Sequence, residues 1–179
     1  VEPLVQLLRT GNAEGKTQAA GTFMSLAENA NNQIQMARAG AVDPLVELLR
    51  SGDSEGKTLA AGALRNLADD ADNQTAMMRS GVVEPLVKLL RTGDSTGKTQ
   101  AAGALRMLAL NDDDQVVIAR AGAVEPLVEL LKTRDPEGKT QAAGALWALA
   151  GNNDNKIAIA RAGAVEPLVE LLRTGDSEG

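Results

Sequence analysis

"VEPLVKLLRTGDSTGKTQAAGALRMLA" (residues 83–109) contains a near-match to a nucleotide-binding loop, "GDSTGKT" (93–99). A phosphate-cradling loop needs a glycine, four further residues, then Gly-Lys-Thr or Gly-Lys-Ser, and it follows a β-strand. Only three residues separate Gly93 from Gly97, and the segment before them has the pattern of a helix. A second copy of the stretch reads "RDPEGKT" (134–140), with Arg134 in place of the first glycine and Pro136 inside the loop. Asp-Pro at a helix start is an N-cap followed by proline at the first helical position, where the missing N–H costs nothing. Asn12, Asp53 and Asp94 are the matching caps, and Glu14, Glu55 and Glu137 put negative charge in the first turn. The motif therefore predicts a turn and a helix start, with no nucleotide site.

The same phrase recurs along the chain. "VEPLVQLLRT" begins at residue 1, "VDPLVELLRS" at 42, "VEPLVKLLRT" at 83, "VEPLVELLKT" at 124 and "VEPLVELLRT" at 165, a gapless spacing of 41 residues. A fixed period of this length predicts a solenoid, in which each unit is buried by its neighbours. The copies divide the chain into 1–41, 42–82, 83–123, 124–164 and a partial fifth at 165–179, all within one array. Three helical signals fall in each period. A short amphipathic segment ("NQTAMMRS" 73–80, "NKIAIARA" 155–162) ends at Gly40, Gly81, Gly122 or Gly163. The second helix carries Pro44, Pro85, Pro126 or Pro167 near its first turn. The third has apolar residues at helical spacing, as at Ala60, Ala61, Leu64, Leu67 and Ala68.

Composition narrows the chemistry. Of 179 residues, 44% are hydrophobic, yet the aromatics are Phe23 and Trp147, so the core must be aliphatic, which suits close helix packing. There is no cysteine and no histidine, which removes thiol chemistry, the commonest general base and the commonest metal ligand. The net charge of −6 argues against a nucleic-acid partner. No segment approaches membrane-span length and nothing resembles a signal peptide, so the chain reads as intracellular, cytoplasmic or nuclear, with no membrane partner. The acidic runs "DDADN" (69–73), "NDDDQ" (111–115) and "NNDN" (152–155) lack calcium-loop spacing and read as solvated loops and caps. Lys16, Lys57, Lys98 and Lys139 form one basic row and Arg38, Arg79, Arg120 and Arg161 another, predicting inter-repeat ion pairs with carboxylates of the second helix. No catalytic residue, metal site or cofactor is predicted.

The unit "RSGVVEPLVKLLRTGDSTGKTQAAGALRMLA" (79–109) resembles the armadillo repeat, and the resemblance covers the whole chain. It implies an all-α, right-handed α-solenoid of armadillo repeats with three helices per 41-residue unit. The third helices would line a concave groove that holds an extended peptide. Adjacent units about 10 Å apart would correspond to about three extended residues each. The resemblance also implies a Trp on each third helix and, four residues on, an Asn that holds the peptide backbone. This chain departs from both. The Trp position is Gly21, Gly62, Gly103 and Gly144, and the Asn position is met by Asn66 alone, with Ser25, Met107 and Ala148 in the other copies. A shallow groove with few aromatic pockets is expected.

Comparing the copies with one another locates the predicted partner-binding face. The third helix varies most at Met24/Arg65/Arg106/Trp147, at Ser25/Asn66/Met107/Ala148, and at Glu28/Asp69/Leu110/Gly151, which share one side of the helix with Gln18, Leu59, Gln100 and Gln141. The resulting reading is a non-enzymatic module whose partner is a protein or extended peptide. The alternative is a structural or self-assembling segment of a longer array, associating end to end through uncapped apolar termini.

Overall fold

The computed structural model describes residues 1–175, the last two by their backbone alone; residues 176–179 of the partial fifth copy lie outside the described residues. In chain order the helices are α1 (Glu2–Thr10), α2 (Ala13–Leu26), α3 (Ala30–Arg38), α4 (Val42–Ser51), α5 (Ser54–Leu67), α6 (Ala71–Arg79), α7 (Val83–Thr92), α8 (Ser95–Leu108), α9 (Asp112–Arg120), α10 (Val124–Leu131), α11 (Pro136–Leu149), α12 (Asn153–Arg161) and α13 (Val165–Gly175). Among the described residues there is no strand. The chain is an α-solenoid, three helices to each 41-residue unit.

Each boundary has a chemical cause. Gly40, Gly81, Gly122 and Gly163 all have φ between +68° and +81°, which L side chains resist. The turn at Gly40 closes with Ala41 N–H donating 3.0 Å to the Met36 carbonyl, the six-to-one bond of a Schellman motif. The long helices open on side-chain caps: Asn12, Asp53 and Asp94 accept from the N–H of Gly15, Gly56 and Gly97 at 2.8, 2.7 and 2.7 Å. The short helices begin earlier than "NQTAMMRS" and "NKIAIARA" suggest, because Asp70 and Asn152 are their caps.

Asp135 departs from the expected cap. With Pro136 at the first helical position, its carboxylate makes no cap bond of ordinary geometry, although the N–H groups of Gly138 and Glu137 lie close enough to favour its charged form. It instead accepts from the hydroxyls of Thr99 (2.8 Å) and Ser95 (3.0 Å) of the preceding unit. Those bonds, the Thr99 one foremost, hold the Asp135 carboxyl below the usual carboxylate range.

The core is one continuous aliphatic cluster, with Phe23, Leu64, Leu105 and Leu146 at the same place in successive units. The long helices α2, α5, α8 and α11 stack side by side and form the principal inter-unit contact. Within single units, Arg9 and Arg91 reach to the glycine turn that ends the short helix and donate to the carbonyls of Gly40 (3.4 Å) and Gly122 (2.9 Å), and Arg50 does the same at Gly81 (3.2 Å). These are side-chain-to-backbone bonds within a unit, not the inter-unit ion pairs expected of the Lys16 and Arg38 rows. Among the described residues neither the Lys16 nor the Arg38 row forms an ion pair with the proline-bearing helices; the pairs found are Arg65–Glu137 and Lys132–Glu129.

The ends of the long helices are closed by amides from the next short helix. Asn32, Asn73 and Asn155 donate Nδ2 to the carbonyls of Leu26, Leu67 and Leu149, each at 3.0 Å. Gln33, Gln74 and Gln115 donate to the carbonyls of Ala27, Ala68 and Ala109. A buried carbonyl left without a donor costs about 1–3 kcal/mol, so this ladder fixes where each short helix sits.

Candidate functional site: the stacked face of the long helices

On the face formed by α2, α5, α8 and α11, the glycines at the expected tryptophan position have a definite role. A Cβ built on Gly103 would lie 2.7 Å from Arg65 Cδ and 2.8 Å from its Nε, and one on Gly144 would lie 2.7 Å from both Arg106 Cδ and Nε. On Gly62 the neighbour is Met24, its sulfur 2.5 Å away. Each glycine is thus a seat for the side chain three positions further along the long helix of the preceding unit. The arginines lie flat across the next helix, in the volume that an indole would fill.

Their guanidinium ends are held by neutral and acidic oxygens. Arg65 Nη1 donates to Gln100 Oε1 (3.4 Å) and reaches across the whole of α8 to Glu137 Oε1 on α11 (3.3 Å). Arg106 Nη1 repeats the first of these contacts with Gln141 Oε1 at 3.5 Å. The Arg65–Glu137 pair is solvent-facing, at 27% and 61% side-chain exposure, so it contributes at most a fraction of a kcal/mol to stability. Its importance is positional: it sets the resting place of a cation on the face. Sequence reading placed Glu137 in a helix's first turn and missed this partnership, because nothing local links residues 65 and 137.

The other predicted residues divide. Ser25, Glu28, Asp69, Leu110 and Trp147 are exposed, and Trp147 is 74% exposed. Met24 and Met107 are half-buried against the core. Asn66, also half-buried, donates Nδ2 to the Met24 carbonyl at 2.9 Å, so its amide N–H joins two units. Ala148 is 7% exposed, and its methyl group belongs to the core rather than to a contact surface. The reason is rotational: positions one residue after the arginine row turn toward the long helix of the preceding unit, as the Asn66 bond to Met24 shows, and among the described residues α2 has no such neighbour, so Ser25 stays exposed.

Among the described residues there is no grouping of three metal-ligating side chains and no helix long and apolar enough to cross a membrane. A cleft of about 590 Å³ between two units is lined by Arg9, Lys16, Glu47 and Arg50, away from the residues of this face.

A three-helix repeating solenoid with one face of graded chemistry defines a class of scaffold built for interaction. The model of the Armadillo/beta-catenin-like repeat matches residues 29–69, 70–109, 111–151 and 152–179, and the chain belongs to that family. No curated protein matches it. Among solved structures it is similar to an engineered protein from a structural genomics consortium, at 40% identity over 99% of this chain and 73% of that one, with a TM-score of 0.89. It is also similar to a designed armadillo repeat protein in complex with the peptide (KR)4, at 31% identity, 95% and 73% coverage and a TM-score of 0.85. A third similar structure belongs to computationally designed armadillo repeat proteins for modular peptide recognition, at 30% identity, 96% and 74% coverage and a TM-score of 0.86.

Proposed function

We propose that this chain is a non-enzymatic interaction module that holds an extended peptide along the face of α2, α5, α8 and α11. One observation carries the reading. The units keep their packing residues almost unchanged and differ on this face, from Met24 through Arg65 and Arg106 to Trp147. A face selected only for folding has no reason to change from thioether to guanidinium to indole while Lys57 and its counterparts stay the same. The similar designed protein that carries a (KR)4 peptide supports it. The residues expected to touch the ligand are Ser25, Glu28, Arg65, Asp69, Arg106, Leu110 and Trp147, with Asn66 offering its carbonyl oxygen. Nucleic acid is not expected as a partner at a net charge of −6.

A displayed library of random extended peptides tests this reading. Binders should be found, and amide chemical-shift changes on titration should cluster in α5, α8 and α11. Shifts confined to α3, α6, α9 and α12 would refute the site.

A second reading is favoured by α13. Val165, Val169 and Leu172 are exposed there, whereas their counterparts Val124, Val128 and Leu131 are buried. This apolar face supports end-to-end association with a second copy, which sedimentation equilibrium would reveal as a mass rising with concentration. A constant monomer mass up to high micromolar concentration would dismiss it.

A further inference from the structure

We infer that the peptide this face accepts carries carboxylate side chains, and that Glu137 occupies Arg65 as an internal competitor for them. The inference rests on the peptide-binding reading above and adds the ligand's charge.

Three observations lead to it. First, the middle of the face presents two arginines whose stems are fixed in glycine seats at Gly103 and Gly144. Restraining a long side chain beforehand lowers the entropy lost when it binds. Second, the oxygens that orient these guanidinium groups are mostly neutral. Gln100 and Gln141 hold Arg65 and Arg106 in place without cancelling their charge. The row to which they belong, Gln18, Leu59, Gln100 and Gln141, contains no acid that would hold a basic ligand. Third, the structure already seats one carboxylate, that of Glu137, against an arginine of the face, while the exposed acids Glu28 and Asp69 lie at other positions of it. Glu137 reaches Arg65 through Nη1 alone, the same nitrogen that contacts Gln100. A guanidinium has five N–H donors arranged to meet a carboxylate with two parallel bonds. A peptide carboxylate approaching the other edge of Arg65 would make the two-pronged contact that Glu137 does not.

Long-range electrostatics oppose an acidic ligand, since the chain carries −6 overall. At physiological ionic strength that field is screened within about 8 Å. Binding must then come from the local guanidinium groups. The expected signature is an affinity that depends on Arg65 and Arg106 and not on net charge.

The chain itself supplies the control substitution. Met24 fills the seat over Gly62 that Arg65 fills over Gly103. Arg65→Met with Arg106→Met should therefore keep the packing and remove only the charge. The probes are three synthetic octapeptides, (Glu-Asp)4, (Lys-Arg)4 and (Ser-Ala)4, titrated by fluorescence anisotropy against the parent chain, R65M/R106M and Glu137→Gln. The expected result is that (Glu-Asp)4 binds best, weakens at least tenfold in R65M/R106M with the melting temperature unchanged, and tightens in E137Q. Tighter binding of (Lys-Arg)4 or (Ser-Ala)4 would overturn the inference and leave the peptide-binding reading standing. Loss of less than twofold in R65M/R106M would overturn it as well. If none of the three binds at millimolar concentration the inference also fails, and the library experiment decides separately whether the face binds peptides at all.

Discussion

Asp114 replaces, in one unit, the amide that the other three use to close the preceding long helix. A carboxylate has no donor for the Leu108 carbonyl, whereas Asn32, Asn73 and Asn155 each donate at 3.0 Å to the equivalent oxygen. A protonated carboxyl does have one. Burial, and then the neighbouring charge of Asp113, push the Asp114 carboxyl above its ordinary value. The cleft around Asn73 is lined by Arg38, Asp43 and Asp72, whose counterparts one unit on are Arg79, Glu84 and Asp113. A folded-state pKa above the unfolded value means that the folded chain binds more protons between the two. Stability should therefore fall as pH rises from 3.8 through the folded value, and the penalty stays constant above it. Asp114→Asn should stabilise the chain at pH 7 by about 1 kcal/mol, the worth of a regained hydrogen bond, with the gain shrinking toward pH 4. Urea titrations of both proteins at the two pH values would measure this; an equal gain at both would disprove it. Asp135 has the opposite sign: hydroxyls hold its pKa down, so its contribution is present above 3.8 and is lost as pH falls through its folded value. None of this was legible in "NDDDQ", which reads alone as a solvated loop. The amide's role appears only once Leu108 and residue 114 are brought together.

At the level of the single helix, the long elements show which signals sequence carries well. Asn12, Asp53 and Asp94 were recognisable as caps because capping is local chemistry over three residues. The glycines that recur in the first turn, Gly15, Gly56, Gly97 and Gly138, are not explained by capping. The structure places a side chain of the previous unit against one of them: a Cβ on Gly97 would stand 2.9 Å from Thr58 Oγ1 and 3.2 Å from its own cap oxygen, Asp94 Oδ1. Gly97→Ala should therefore destabilise by about 1–2 kcal/mol through overpacking, although alanine is the better helix former by up to about 1 kcal/mol. The Thr58 hydroxyl is buried without a hydrogen-bond partner. Thr58→Ala alone should thus cost little, and combined with G97A it should recover most of the loss. Chemical denaturation of the four proteins in that double-mutant cycle reads the coupling directly, and strict additivity would rule the contact out. The variable face was legible as a set of positions, but Ala148 and Asn66 turned out to be oriented toward a neighbouring helix, which periodicity within one helix cannot reveal. Trp147 does project outward, at 74% exposure. Trp147→Ala should leave the melting temperature nearly unchanged and weaken library-selected peptides by at least about 1 kcal/mol, roughly fivefold. A large drop in melting temperature with affinity intact would make the indole a structural residue.

For the solenoid as a whole, the 41-residue period was readable because every unit meets the same neighbours and so keeps the same residues. What the period cannot express is that identical sequences have unequal surroundings. The octet "VEPLVELL" occurs at 124–131 and again at 165–172. In the first, Leu131 is 2% exposed, packed within the continuous core; in the second, Leu172 is 70% exposed. The two leucines share the octet and their place counted from the helix start, although Leu131 ends α10 and Leu172 lies three residues before the end of α13, so the difference between them is chiefly one of stacking. Stability in such an array is a sum of unit terms and nearest-neighbour interface terms, and Leu131 contributes to both. Leu131→Ala should cost about 2–5 kcal/mol, the range for a buried leucine whose cavity cannot fully collapse. Leu172→Ala should stay within about 0.5 kcal/mol, as an exposed substitution does. Urea denaturation of the two variants at micromolar concentration, where a second copy would be scarce, makes the comparison. If Leu172→Ala cost as much as Leu131→Ala under those conditions, the exposed face of α13 would have to be covered in solution, and end-to-end association would be the first place to look for the cover.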